Sequence, residues 1–156
     1  MTPAIDLVLP DLAATEALAA RAAALSRPGD TLLLEGPLGA GKSAFARAFL
    51  RAAAGDPGLE VPSPTFTLVQ GYALPRGTAH HFDLYRLDGP GGLEELGWEE
   101  AREGIVLVEW PDRLGPHAPA DALRLRLVPE GEERRALRLA GWPGRLERLA
   151  AAGAAA

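Results

Sequence analysis

The stretch that most constrains this chain is Leu32-Leu33-Leu34-Glu35-Gly36-Pro37-Leu38-Gly39-Ala40-Gly41-Lys42-Ser43. An apolar run leads into a glycine-rich loop, then Lys-Ser, then a helical pattern from Ala44 to Ala53. Gly36 and Gly41-Lys42-Ser43 therefore have the spacing of a phosphate-binding P-loop between a buried strand and a helix. Phosphate oxygens must meet several backbone N–H groups at once, so such a loop needs residues that reach positive φ and carry no Cβ; Gly36, Gly39 and Gly41 supply them. The backbone of Leu38, Ala40 and Ala44 completes the expected cup. The helix that follows aims its unpaired N–H groups and positive dipole end into it. In that setting Lys42 reaches toward the β- and γ-phosphates of a nucleotide, and the Ser43 hydroxyl is a ligand for Mg²⁺. The competing explanation is an accidental glycine-rich turn, and the strand before it and helix after it weigh against that.

Composition sharpens the point at Lys42, the only lysine in the chain, every other basic side chain except three histidines being arginine. Where arginine serves, this sequence uses arginine. A compact ammonium fits a phosphate cup, whereas a planar guanidinium is too wide, and this accounts for the exception.

A length of 156 residues fits one domain, residues 1–156, near the minimum for a P-loop enzyme, and 47% hydrophobic content belongs to the soluble globular class. The absence of cysteine excludes disulfides and thiolate-bound metals and fits a reducing cytoplasm. Asp6, Asp11 and Glu16 precede the first arginine, the wrong order for a signal peptide, and no apolar run has membrane-spanning length. A cytoplasmic location, with no membrane partner, is expected. The net charge of −5, with arginines dispersed among acids, argues against an autonomous grip on nucleic acid, so any RNA contact is expected to be indirect.

Ile5 to Leu9 reads as a strand and Asp11 as the N-cap of an alanine-rich helix ending near Leu25. Thr31 to Glu35 reads as a strand buried on both faces. Gly55-Asp56-Pro57-Gly58 ends the helix after the loop. Pro62 and Pro64 predict a stiff extended segment from Val61 to Thr67. A hairpin follows, Leu68 to Leu74 and Ala79 to Leu84, then a loop at Gly89–Gly92, a helix from Leu93 to Arg102 and a buried strand from Ile105 to Val108. Leu123 to Leu127 alternates and so buries one face, pairing with Ala136 to Leu139. From Pro143 an alanine-rich helix, frayed at its end, is expected.

Two acids close apolar strands. Glu109 ends Val106-Leu107-Val108 where a carboxylate holds the Mg²⁺ water shell or orients an attacking water, and Asp83 ends His80-His81-Phe82. Each can otherwise be a strand-end acid meeting solvent. Strand alternation puts His81, Asp83 and Tyr85 on one face, Phe82 and Leu84 on the other. Ser43, Glu109 and Asp83 are the candidate metal ligands; Lys42, Asp83 and Glu109 are the candidate catalytic groups. Thr65, on its stiff loop, is a candidate switch hydroxyl or simply a threonine opening a strand. Trp110 is either a stacking residue or core. The adjacent His80 and His81 face opposite ways and cannot chelate one ion together. Arg86 and Arg113 can meet a phosphoryl group, although surface arginines are commoner, and Glu94 and Glu95 read as a solvated helix face.

Gly36–Ser43, Ser63-Pro64-Thr65-Phe66-Thr67, His81-Phe82-Asp83-Leu84-Tyr85-Arg86, Glu94-Glu95-Leu96-Gly97 and Val108-Glu109-Trp110-Pro111 together resemble the TsaE (YjeE) family over roughly Ile5 to Arg113. Members usually carry Thr at the place of Ser43, and either hydroxyl can bind Mg²⁺. The resemblance implies a cytoplasmic ATPase of tRNA threonylcarbamoyladenosine biosynthesis that binds ATP and Mg²⁺. It further implies that ATP hydrolysis resets a complex with the TsaB and TsaD proteins, which transfer the threonylcarbamoyl group to N6 of adenosine 37. Thr65, Asp83, Glu109 and Trp110 would then line the nucleotide site; which carboxylate orients water is left open. A small-molecule kinase shares the loop but needs an acceptor pocket and an arginine-rich lid that the sequence does not display. A regulatory GTPase needs a second lysine to read guanine. A nucleotide-dependent scaffold with negligible hydrolysis of its own is the third alternative. The expected fold is an α/β, three-layer P-loop NTPase fold with a central, mainly parallel sheet extended by antiparallel strands.

Overall fold

The computed structural model describes residues 4–154. Its seven strands are β1 (Ile5–Leu9), β2 (Thr31–Glu35), β3 (Val69–Leu74), β4 (Gly77–Asp83), β5 (Ile105–Glu109), β6 (Leu123–Pro129) and β7 (Arg135–Ala140). They form one sheet in the order β1-β7-β6-β2-β5-β4-β3. Four neighbouring strands, β6, β2, β5 and β4, run parallel, and antiparallel pairs extend them at both edges: β3 on β4, and β7 then β1 on β6. The helices are α1 (Leu12–Leu25), α2 (Lys42–Ala54), α3 (Trp98–Ala101) and α4 (Leu146–Ala154).

Burial explains this arrangement strand by strand. β2 and β5 have apolar side chains on both faces and occupy the sheet's middle, where both faces are covered. In β6, Leu123, Leu125 and Leu127 are buried while Arg124, Arg126 and Val128 are exposed, so its alternation buries one face. On that covered face α1, α2 and α4 pack with Leu32, Leu34, Leu107 and the β6 leucines, around Phe45, Phe49 and Leu18. On the other face Leu33, Phe82, Val106 and Val108 meet Leu84, Leu93, Trp98 and Leu114. This second layer covers the β2-β5-β4 half of the sheet and reaches Val69 of β3.

Local chemistry sets the ends. Asp11 accepts a hydrogen bond from Ala14 N–H at 2.9 Å and caps α1, as its sequence position predicts. Gly55 in the left-handed region closes α2 by donating to Ala52 and Arg51 carbonyls. Arg145, at the start of α4, donates to both oxygens of Asp30 at 2.6 and 2.8 Å and to Leu25 O, and stacks on Trp142 at 4.2 Å. It fastens the α1–β2 turn to the C-terminal helix.

Several boundaries differ from the expectations. α2 begins at Lys42 rather than Ala44, β4 begins at Gly77 and ends at Asp83, and β6 and β7 run longer than predicted. The segment from Val61 is irregular only as far as Pro64; Thr65–Thr67 then form a turn closed by Leu68 N–H on Pro64 O at 2.6 Å, with Leu68 at φ 70°. The predicted helix from Leu93 to Arg102 is broken: Glu94–Leu96 is a 3₁₀ turn, Gly97 at φ 75° reverses the chain, and only Trp98–Ala101 is α-helical. Leu93 and Trp98 both point into the core across that break, which one continuous helix does not allow at five-residue spacing. The C-terminal helix starts at Leu146, three residues after Pro143, and the end expected to fray lies partly outside the described residues. Among the described residues no helix is long and apolar enough to cross a membrane.

What matters for function is one edge. β2, β5 and β4 are parallel neighbours, so Glu35, Glu109 and Asp83 end them side by side, where ligands of open α/β sheets bind.

Candidate functional site

The loop after β2 is shaped by close approaches. Gly36, at φ 146°, lies so near Leu127 O of β6 that a Cβ would stand 2.4 Å from that oxygen. Ala40 donates its N–H to Pro37 O at 3.1 Å and buries its methyl in the core. Gly41, at φ 103°, turns the chain into α2, whose first i→i−4 bond is Phe45 N–H to Gly41 O at 3.0 Å. The N–H groups of Lys42, Ser43 and Ala44 consequently have no intrahelical acceptor. They face a cavity of about 310 Å³ lined by Leu38, Gly39, Gly41, Lys42, Ser43, Ala44, Ser63, Thr65, Asp83, Glu109 and Trp110. Gly36 and Ala40 are not among its lining residues, contrary to expectation: Ala40 is buried in the core and Gly36 packs against β6.

Strand register places the acids together. Asp83 and Glu109 are paired positions of β4 and β5, on the sheet face that α2 covers. Ser43 Oγ donates to the Glu109 carboxylate, 3.1 and 3.2 Å from its two oxygens. From the other side His81 Nε2 donates to Glu109 Oε2 at 2.7 Å; a carboxylate only accepts, so the imidazole carries hydrogen on Nε2. Both His81 and Glu109 are buried. Asp83 accepts from Tyr85 N–H at 3.0 Å and from Thr65 Oγ1 at 3.4 Å, and Thr65 shares a 2.7 Å hydrogen bond with Ser63 Oγ. Thr65, at the head of its turn, thus puts one hydroxyl on the Asp83 carboxylate, with the Ser63 hydroxyl bonded to it in turn.

Lys42 is buried with its ammonium folded back on the loop. Nζ donates to Gly36 O and sits 3.5 Å from the centre of the Trp110 ring, which in turn lies 4.8 Å from Tyr85. Trp110 reaches this position because it leaves β5 in the left-handed region, at φ 60°. Burial pulls the Lys42 ammonium below the usual lysine pKa, opposed by the nearby charges of Glu109, Asp83 and Asp112.

The candidates Lys42, Ser43, Thr65, Asp83, Glu109 and Trp110 all converge on one cavity. Arg86 does not join them: it lies over the exposed Phe66 ring at 5.3 Å. Glu94 and Glu95 are exposed, as expected, but on a 3₁₀ turn. Reading the sequence placed His81 on the Asp83 face without giving it a partner; its contact with Glu109 depends on the β4–β5 register. Ser63 lies between Pro62 and Pro64 on the segment expected to be stiff, and no spacing in the sequence marks its bond to Thr65. Arg135 had no signal: it is one of many arginines, and it lies beside the loop only because β7 follows β6 back along the sheet.

The donor set suits a hard cation shared with phosphate oxygens. A serine hydroxyl touching a carboxylate, with a second carboxylate beside it, is the sparse oxygen site Mg²⁺ takes when a substrate supplies the rest. No cluster of three or more His, Cys, Asp or Glu able to hold a metal without phosphate occurs among the described residues.

A family model described as "Threonylcarbamoyl adenosine biosynthesis protein TsaE" matches residues 9–137. A tRNA threonylcarbamoyladenosine biosynthesis protein TsaE of Bacillus subtilis is 34% identical over 139 residues, 86% of this chain and 84% of that protein. Its namesake in Rickettsia felis is 41% identical over 107 residues, 68% of this chain and 62% of the relative, and the Rickettsia conorii protein is 42% identical over 99 residues, 63% and 56%. The chain thus aligns with less than two thirds of the length of these two rickettsial relatives. The crystal structure of Bacillus subtilis YdiB superposes with a TM-score of 0.74 at 28% identity, covering 99% of this chain and 97% of that one. The profile, the relatives and the fold agree, and the chain belongs to the TsaE family.

Proposed function

We propose that this chain is a P-loop NTPase that binds and hydrolyses ATP in tRNA threonylcarbamoyladenosine biosynthesis, resetting a TsaB–TsaD transfer complex between turnovers. The observation that carries the reading is the convergence of Ser43, Glu109, Asp83 and Thr65 on the cavity that the loop amides line. Each group then has a task. The amides of Leu38, Gly39 and Gly41 to Ala44 hold the α- and β-phosphates, Ala40 N–H being engaged with Pro37 O, and Lys42 swings from Gly36 O to meet the terminal phosphates. Bound Mg²⁺ supplies neutralisation of the charge developing on the transferred phosphoryl group. Ser43 and the carboxylates hold its coordination sphere, and His81 fixes the rotamer of Glu109. Of the two acids, Asp83 lies beside Thr65, the hydroxyl best placed to meet a γ-phosphate, while Glu109 is committed to Ser43 and His81. That contrast supports a division in which Glu109 serves chiefly the metal shell and Asp83 also orients the water.

Hydrolysis by the isolated chain is expected to be slow. None of the described arginines lines the cavity, and an arginine finger is worth about 10³–10⁵ in turnover in other P-loop systems. TsaB and TsaD are then the partners expected to complete the site and to contact the tRNA, in the cytoplasm. The test is a steady-state ATPase assay of the chain alone, with purified TsaB and TsaD, and with tRNA alone. Stimulation by the protein pair only is expected; full turnover without partners, or stimulation by tRNA alone, overturns the reading.

A further inference from the structure

Outside the cavity, one side chain makes an unusual set of contacts. Arg135 opens β7, where its backbone is paired with Leu9 of β1 on one side and Pro129 of β6 on the other, so its Cα is fixed from both directions. Its guanidinium touches no carboxylate among the described ion pairs; it goes to five carbonyls. Nε donates to Ala40 O at 2.9 Å and Nη2 to Gly39 O at 3.3 Å. Nη1 lies 2.9 Å from Arg134 O, 3.2 Å from Glu132 O and 3.4 Å from Gly131 O. One half of the group therefore holds the tip of the glycine-rich loop, and the other holds the β6–β7 turn.

A trans peptide carries its C=O and N–H on opposite sides. Turning Ala40 O toward Arg135 accordingly turns Gly41 N–H the other way, into the cavity. The bond to Gly39 O steadies the preceding peptide, whose own N–H, on Ala40, is already engaged with Pro37 O. Gly41 is needed for its backbone rather than for room: a Cβ there would make only ordinary contact with Arg135 Nε at 3.8 Å, but its φ of 103° is one that side chains rarely adopt. A positive charge on these carbonyls also offsets the negative ends of two dipoles close to where an anion sits. Five N–H donors in a rigid fork suit this task; an ammonium, with one point of attachment, does not.

We infer that Arg135 is a positioning residue of the phosphate loop, which sets the direction of the Gly41 amide and couples loop geometry to the β6–β7 turn. This rests on the reading of the cavity as a phosphate site, and it adds to the loop's own sequence a requirement from the far end of the chain. The coupling has a direction too: displacing the turn at Gly131–Arg134 pulls on Gly39 and Ala40 through one side chain.

The experiment is calorimetric titration of Mg-ADP and Mg-ATP into the full chain and its Arg135→Ala, Arg135→Lys and Arg134→Ala variants, with folding checked by circular dichroism. Arg134 is the control, since its side chain makes only an exposed ion pair with Glu130. Arg135→Ala is expected to bind both nucleotides about tenfold more weakly, Arg135→Lys nearly as weakly, and Arg134→Ala like the wild type. Millimolar guanidinium is expected to restore most of the affinity of the alanine variant and to leave the wild type unchanged, a rescue that a merely structural loss does not give. Folded Arg135 variants that bind within twofold of wild type, equal losses in Arg134→Ala, or the absence of guanidinium rescue overturn the inference. A wild-type chain that binds neither nucleotide sinks the phosphate-site reading itself, which separates the two failures.

Discussion

Lys42 shows how one side chain carries opposed demands. Its ammonium is buried against Trp110 and Gly36 O, a resting place it must leave to meet a phosphate. Lys42→Ala and Lys42→Arg are both expected to lose Mg-ATP binding by calorimetry, the arginine because its fork does not fit the cup; wild-type affinity in the arginine variant removes the steric argument. A second expectation concerns pH. The folded-state pKa of Lys42 lies below 10.5, so between the two values the unfolded chain binds more protons and stability rises with pH. Below that window the burial cost is fully present. Urea midpoints of wild type and Lys42→Met should therefore converge or cross in favour of the wild type as pH approaches 10.5. Asp83→Asn and Glu109→Gln are expected to depress hydrolysis at saturating ATP far more than they weaken binding, since their partners are Thr65, Ser43 and His81 rather than the loop amides. Lys42, Ser43, Asp83 and Glu109 were legible because loop spacing and strand ends announce them. The His81–Glu109 bond spans 28 positions and depends on register, and Arg135 depends on topology; neither leaves a local trace.

At the level of elements, the glycine positions that matter are those where backbone meets backbone. Gly36→Ala forces a Cβ to 2.4 Å from Leu127 O at a φ of 146°, and is expected to lower stability by about 2 kcal/mol or more as well as disturb the loop. Equilibrium urea unfolding checks the first part. Arg145→Ala breaks a nearly buried double bond to Asp30 and the contact with Leu25 O, and should cost about 2–3 kcal/mol by the same measurement. The long periodic elements, α1, β2, α2, β5 and the alternating β6, followed from their patterns, because burial on one or two faces dictates the residue types. The Leu93–Arg102 stretch misled because its composition favours a helix while Gly97 reverses the chain so that Leu93 and Trp98 share one core. The Val61–Thr67 segment misled because proline stiffens only the residues it touches, and the chain was free to turn at Thr65.

For the whole molecule, net charge bears on nucleic-acid contact. With a net charge of −5, filter binding of the isolated chain to tRNA at physiological salt is expected to show no saturable complex, whereas the assembly with TsaB and TsaD retains tRNA. The sheet's order carries a consequence for how the protein is made. β1, within the first ten residues, has β7 as its only strand neighbour, and β7 is not complete until Ala140. The first strand is therefore synthesised long before its partner exists. Because β7 also carries Arg135, whose guanidinium holds Ala40 O and Gly39 O, a nascent chain stopped short of it has every residue of the glycine-rich loop without that support. On the proposed reading of the loop, full affinity for nucleotide then awaits the closing of the sheet's last hairpin.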